Sequence, residues 1–299
     1  MKLLRNRVRN AQWGTGIPAA ALCTLALWFA LAAPFIPAQA QTGSFTPEVG
    51  QPGKDVIWVP TPDALVEKML QMAEVRATDF IVDLGSGDGR IAIAAARKFG
   101  ATSLGIEYNA EMVTLSNRSA ADAGVADRAK FIQADIFETD FSRASVVTMY
   151  LLPDLNIRLR PKILAMRPGT RVVSHRFSMG DWEPDATEWV DSRQAHLWIV
   201  PAKVEGLWQM RIEGPSGPRD YEMRLRQQYQ RVDGEVKLGS DAKLFEAKLA
   251  GETLGFSMTD GDTPRTFVGR VSGDEMSGVI RTLGLPEFRW SAKRSRSGA

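Results

Sequence analysis

Cysteine and histidine are almost missing from this chain. Of 299 residues one is a cysteine, Cys23, and two are histidines, His175 and His196. Cys23 falls in an apolar run near the start, so the body of the chain has no thiol, no disulfide and no cysteine metal site. Two histidines are too few for a His-based zinc site. An excess of one charge is missing as well: 37 Lys and Arg stand against 35 Asp and Glu. A net charge of +2 gives no reason to expect nucleic acid. Low-complexity tracts are absent, and 44% hydrophobic with 24% charged residues is the composition of a folded protein with one large domain or two modest ones.

Acids are also absent from the first segment, where none precedes Glu48. Lys2, Arg5, Arg7 and Arg9 make a basic head, an apolar run covers 17–36, and Pro37-Ala38-Gln39-Ala40-Gln41 follows. These are the three parts of a secretory signal peptide over residues 1–40, with cleavage expected after Ala40 and a periplasmic body. The alternative is an uncleaved inner-membrane anchor, since the run is just long enough to span a bilayer, although Pro18 and Pro34 shorten its helical part. Either way the positive head places the body outside the cytoplasm. Residues 41–55, rich in Gly, Pro, Thr and Ser, read as a flexible lead-in.

The organising stretch is Phe80-Ile81-Val82-Asp83-Leu84-Gly85-Ser86-Gly87-Asp88-Gly89-Arg90. An apolar run reads as a buried parallel strand, an acid ends it, three alternate glycines turn the chain, and an Ala-rich helix over 91–98 stops at Gly100. A phosphate-cradling loop would end in Gly-Lys-Ser/Thr, and a dinucleotide loop would carry its third glycine one residue later. Pyrophosphate has little reason to sit beside Asp83 and Asp88. Two acids flanking a glycine turn suit a ligand with a positive centre and hydroxyls, such as S-adenosylmethionine (SAM).

Asp83-Leu84-Gly85-Ser86-Gly87-Asp88-Gly89 resembles the first motif of the class I, seven-β-strand SAM-dependent methyltransferases. The resemblance implies a doubly wound, Rossmann-like sheet over residues 56–202, with SAM as cofactor. Glu107 ends the second strand about 20 residues beyond the glycine turn, the spacing of a ribose-binding carboxylate. Asp135, followed by Ile136, ends the third strand, where the family keeps the acid near the adenine. Asp83, Gly85, Ser86, Gly87, Asp88 and Gly89 are expected around the methionine portion, with Tyr108 and Asn109 as secondary contacts. Asn109 also suits the N-cap of a helix over 110–123.

Val59-Pro60-Thr61-Pro62 before an amphipathic helix over 64–75 resembles a narrower group, the membrane-associated lysine methyltransferases of mitochondria and their bacterial relatives. There this segment closes over the cofactor, which brings Thr61 into the site. Thr61 also suits the N-cap of that helix, with Pro62 in its first position. In many class I enzymes the segment after the fourth strand faces the methyl group, so Tyr150 and Pro153 are active-site candidates. The Asn-Pro-Pro-Tyr signature of amino-group nucleic-acid methylation is missing there. A helix over 155–166, interrupted by Pro161, leads to a fifth strand over 171–177. Asp181 and Trp182 in the following loop could hold a charged amine by an acid and an aromatic face, or could simply anchor a Trp in the core. Two last strands are expected over 187–190 and 196–200.

From residue 203 to 293 short alternating runs appear at regular spacing, from Trp208-Met210-Ile212 to Phe288-Trp290. They predict an antiparallel meander of about eight strands, a small barrel or open half-barrel. Residues 294–299 read as a tail. The expected activity is methyl transfer from SAM to a protein lysine or a small molecule, with the N-terminal run as a means of membrane association. The alternatives are a non-catalytic relative that binds a nucleoside or metabolite, or an envelope binding protein whose β part works while the α/β half is a scaffold. A phosphatase that is active only after export, fused within the α/β part, is expected to be active. An inactive fusion overturns the placement outside the cytoplasm.

Overall fold

The computed structural model describes residues 45–295, apart from 215, 239, 240, 261 and 262. The expected signal peptide or anchor with Cys23 and residues 296–299 of the tail lie outside the described residues.

A mixed sheet of seven strands forms the first half. β1 (Phe80–Leu84), β2 (Thr102–Glu107), β3 (Ala129–Gln133), β4 (Val146–Met149), β5 (Arg171–His175), β6 (Ala186–Val190) and β7 (Arg193–Ile199) lie in the order β3-β2-β1-β4-β5-β7-β6. The first five in that order are parallel, and β7 runs antiparallel to β5 and β6. Helices cover both faces, so β1 buries Ile81, Val82, Asp83 and Leu84 in succession instead of alternating. The helices are α1 (Asp63–Met72), α2 (Arg90–Phe99), α3 (Ala110–Asp122) and α4 (Pro153–Leu164). From β1 the chain builds outward to β2 and β3, then returns to the other side of β1 for β4. That reversal opens a crevice beyond the strand ends, the place where ligands bind in such sheets.

Local chemistry explains most helix ends. Gly100 closes α2 in the left-handed conformation at φ 72°, which a side chain would disfavour. The Asn109 side chain caps α3 by accepting from the backbone N–H groups of Glu111 (2.8 Å) and Met112 (3.2 Å). Thr61 is not the N-cap of α1. Pro62 holds that position without a side-chain bond, because the Thr61 hydroxyl is engaged by His175 Nδ1 at 3.0 Å. α4 begins at Pro153, two residues earlier than expected, and runs through Pro161. Pro153 is pre-set for the first turn, and Pro161 removes a single helical bond close to the C-terminal end.

The second half is an antiparallel barrel. Among the described residues its strands are β8 (Gly206–Gly214), β9 (Gly217–Gln228), β10 (Arg231–Lys237), β11 (Asp241–Lys243), β12 (Phe245–Ala250), β13 (Thr253–Asp260), β14 (Thr263–Ser272), β15 (Glu275–Arg281) and β16 (Phe288–Arg294). β16 pairs back onto β8, and β9 pairs with β10, so eight strands close a ring while short β11 adds to β10 from the side. The interior is filled. Phe256 and Phe267 stack with centroids 4.7 Å apart, and Trp290 meets both edge-on. Gly269 leaves the room that Trp290 takes, since a Cβ there would stand 2.5 Å from the indole. This barrel has a packed core, not a channel.

The turn between β9 and β10 locks the barrel to the α/β half. Tyr229 stacks on the buried Trp182 with centroids 5.9 Å apart, and its hydroxyl donates to the Asp181 carboxylate at 3.1 Å. Arg160 of α4 pairs with the same carboxylate and holds it below the usual carboxylate range. Gln230 donates to the Glu183 carbonyl at 2.6 Å. Tyr229 itself sits at φ 55°, a strained conformation for an aromatic residue that these contacts must sustain. Tyr229→Phe is expected to cost about 1 kcal/mol in urea unfolding, and Tyr229→Ala about 2–3 kcal/mol through the lost stack. Equal losses in the two variants would show that the ring contributes nothing to the junction.

Candidate functional site

The crevice at the β1 exit is a cavity of about 430 Å³, within the range of small-molecule sites. Its floor is the glycine turn. Gly85, Gly87 and Gly89 have φ of 72°, 53° and 80°, all in the left-handed region where a Cβ is strained. Glu107, at the end of β2, ties this turn down. One carboxylate oxygen accepts the Gly87 N–H and the other accepts the Asn109 N–H, each at 2.9 Å. Asp83 is fully buried beside Thr148, whose hydroxyl donates to it at 2.7 Å. Burial pushes the Asp83 carboxyl up to about 7, with the charges of Asp88 and Glu107 adding to the shift. Asp88 is held by Arg90, whose guanidinium also donates to the Thr61 carbonyl at 3.0 Å.

The roof comes from the segment that reads as a lead-in. Residues 50–58 fold back as a small hairpin, with Gly50 N–H donating to the Trp58 carbonyl and Trp58 N–H to the Gln51 carbonyl. Trp58 lies over the glycine turn so closely that a Cβ on Gly87 would stand 2.6 Å from the indole nitrogen. At the far end Lys54 pairs with Asp135 and sits over the Tyr108 ring, 4.7 Å from its centroid. The lysine bond and the Phe137 N–H hold Asp135 below the usual carboxylate range.

The remaining wall is apolar and aromatic. Tyr150, Leu151, Leu152, Leu155 and Phe177 line it. Behind Tyr150 stands His175, only 2% exposed and stacked on the Tyr150 ring with centroids 3.8 Å apart. Burial lowers His175 to about 4, helped by the charges of Arg193 and Arg176, so the imidazole is neutral at physiological pH.

Most of the residues expected from the sequence meet here. Thr61, Asp83, Gly85, Ser86, Gly87, Asp88, Glu107, Tyr108, Asn109, Asp135, Ile136 and Tyr150 all line the cavity. Gly89 supports it from behind, where a Cβ would strike Phe131 and Ser116. Pro153 opens α4 just past the lining residues, and Asp181 and Trp182 stand at the barrel junction instead of the cavity wall. Trp58, Lys54, His175, Arg176 and Phe177 escaped the sequence reading. Trp58 could have been noticed as an aromatic just before a Pro-Thr-Pro segment. The others carry no local signal.

A nucleoside with an attached amino acid fits this cavity. The Ser86 hydroxyl oxygen is buried without a partner, the glycine backbone leaves no side chain in the way, and acids punctuate one end. Residues 83–186 match the family model of the ANTKMT methyltransferase domain. A protein-lysine N-methyltransferase of Saccharolobus islandicus is 44% identical over 131 residues, covering 43% of this chain and 81% of that protein. The chain belongs to this methyltransferase family. As a member it is a SAM-dependent enzyme, and the cavity is where its residues suit that cofactor. A lysine N-methyltransferase of Mus musculus, named for a component of ATP synthase, is 34% identical over 183 residues, 60% of this chain and 68% of that protein. A crystal structure of an RNA methyltransferase from Salinibacter ruber with S-adenosyl-L-homocysteine is 48% identical, covers 49% of this chain and 96% of that chain, and has a TM-score of 0.48.

The buried Asp83 ties stability to pH in the methyltransferase without ligand. Its folded-state carboxyl titrates near 7, against an ordinary value of 3.8, so the folded protein holds a proton that the unfolded chain gives up. The Asp83 contribution to stability is therefore full below about pH 4 and is lost as pH rises towards 7. Asp83→Asn is expected to raise the urea midpoint at pH 8 and to leave it nearly unchanged at pH 4. A midpoint shift of the same size at both pH values would refute the assignment.

Proposed function

We propose that this methyltransferase acts on the side-chain amine of a protein lysine. The observation that carries the reading is the division of one cavity into two unlike ends. Acids and glycine backbone make one end, and an aromatic and aliphatic wall around Tyr150 and Phe177 makes the other. The first end suits the charged donor. The second admits an alkyl amine and strips it of water. The names of the Saccharolobus and mouse relatives, both lysine methyltransferases, support the same acceptor class.

Glu107 is assigned to the ribose hydroxyls, Asp135 to the adenine amine, and Asp83 with residues 85–89 to the methionine portion. Bound SAM supplies an electrophilic methyl on a sulfonium. The residues of the chain contribute mainly position: the turn fixes the donor, Trp58 and Lys54 close over it, and Tyr150 backed by His175 shapes the approach of the acceptor. Neutral His175 is enclosed behind Tyr150 and serves as a support, with its Nδ1 occupied by Thr61.

Calorimetry with SAM is expected to show binding that Glu107→Ala weakens at least tenfold, because the carboxylate would serve both the ligand and the turn. Unchanged affinity would remove Glu107 from the site. Incubation with labelled SAM and a cell-envelope extract, with total RNA in parallel, is expected to mark a protein band whose label survives in lysine after hydrolysis. Label in RNA or in small molecules alone would overturn the acceptor.

A further inference from the structure

An ammonium has no lone pair, so a lysine amine must lose its proton before it can attack a methyl group. With an ordinary value near 10.4, roughly one amine in 2,500 is neutral at pH 7. Among the described residues no carboxylate joins the aromatic wall, and four of the five acids that line the rest of the cavity have partners. Asp88 is held by Arg90, Asp135 by Lys54 and Glu107 by two backbone N–H groups, while Asp83 is buried at the end of β1 with one oxygen bonded to Thr148. Asp55 lies on the roof hairpin beside Lys54, in the segment that covers the donor end.

What the acceptor end does carry is a cation. Arg176 lines the cavity beside Tyr150, Leu155 and Phe177, and its guanidinium lies 5.5 Å from the centre of the Phe177 ring. It forms no ion pair among the described residues. The residue sits at φ 68°, a strained conformation for a side chain that is not glycine. Three bonds to β7 sustain it. Arg176 N–H donates to the Gln194 carbonyl at 2.8 Å, and its own carbonyl accepts from Gln194 Nε2 at 3.2 Å and lies 3.1 Å from His196 Nε2. These bonds fix its backbone, while the side chain is exposed and rests over the Phe177 ring. The neighbouring charges do not cancel it: on α4, Arg160 is paired with Asp181, Arg158 lies over Phe137, and Asp154 is exposed in the first turn. Arg193 on β7 adds a second positive charge, felt with that of Arg176 at His175.

We propose that Arg176, together with the apolar wall of Tyr150, Leu155 and Phe177, favours the neutral form of the incoming lysine amine and so prepares the nucleophile without a general base. This inference rests on the lysine reading above. A like charge and loss of water both disfavour the ammonium, the same physics that activates amines elsewhere. The proton leaves to water at the open mouth before attack. The freed nitrogen lone pair then forms the N–C bond, the C–S electron pair stays on sulfur, and the products are a methylated ammonium and a neutral thioether. Arg176 moves no proton itself and acts through its field.

Two readouts test this. In the full chain, Leu155→Lys introduces an amine into the wall, and its titration can be followed by NMR of labelled lysine. That amine is expected to titrate about one pH unit lower with Arg176 than in the Arg176→Gln background, a tenfold difference in neutral fraction. Identical titration in the two backgrounds would overturn the inference whatever the acceptor is. The second readout is the pH dependence of methylation of a synthetic peptide carrying one lysine. Arg176→Gln is expected to lose about tenfold at pH 7 and to close on the original rate only as pH rises past about 10.4, while Arg176→Lys keeps the original profile. A loss equal at every pH would mean that Arg176 anchors the acceptor and would sink the proposal. If the original chain methylates no lysine while the introduced amine still titrates low, the acceptor reading fails and the field at the wall stands.

Discussion

The hydrogen bonds from Gly87 and Asn109 to Glu107 are the constraint on which the site depends. A turn of alternate glycines has more conformational freedom than any other stretch of chain, and left alone it would not hold a cavity open. One carboxylate at the end of the neighbouring strand takes N–H groups from the turn and from the cap of α3 at once. The same acid that suits a ribose therefore also fixes the floor on which the ligand lies. Asn109 continues the chain of support, since it caps α3 with its side chain while its backbone is held by Glu107.

The cavity is organised by charge as much as by shape. Acids cluster at one end, where burial raises the Asp83 carboxyl to about 7 and ion pairs hold Asp88 and Asp135. The other end is aromatic and aliphatic, with Arg176 beside it. A buried carboxyl that is costly to ionise suits a positively charged partner. The neutral His175 contributes rigidity, joining Thr61 below the roof to the Tyr150 ring on the wall.

The barrel is fastened to the loop that follows β5. Tyr229 grips Asp181 and Trp182, and these belong to the loop that leaves β5 just after Arg176 and Phe177. Asn156 of α4 steadies the same loop by donating to the carbonyls of Phe177 (3.1 Å) and Ser178 (3.2 Å). The packed, closed barrel thus supplies a firm surface behind a segment that would otherwise be an exposed connection. Its own core owes nothing to the α/β half, being built from inward residues of the ring and from the small-against-large fit of Gly269 and Trp290.

Local pattern was enough to read the strands, the glycine turn, the three acids at successive strand ends and the eight alternating runs of the barrel, because each depends on neighbours in sequence. Asn109 as a cap and Gly100 as a helix stop are legible for the same reason. Thr61 was misplaced as a cap because His175, distant in sequence, competes for its hydroxyl. Asp181 and Trp182 had the chemistry to bind an amine, yet Tyr229 of the barrel claims them. Barrel closure itself required β16 to return to β8, a pairing that no run of residues announces. Lys54, Trp58 and Arg176 entered the site only through folding, since a roof hairpin and a strained turn gain their meaning from what lies across the cavity. Sequence by itself determined the elements and the acid-and-glycine end of the cavity. Tertiary structure alone decided the roof, the aromatic wall and the partner of each charge, because those depend on contacts between residues far apart in the chain.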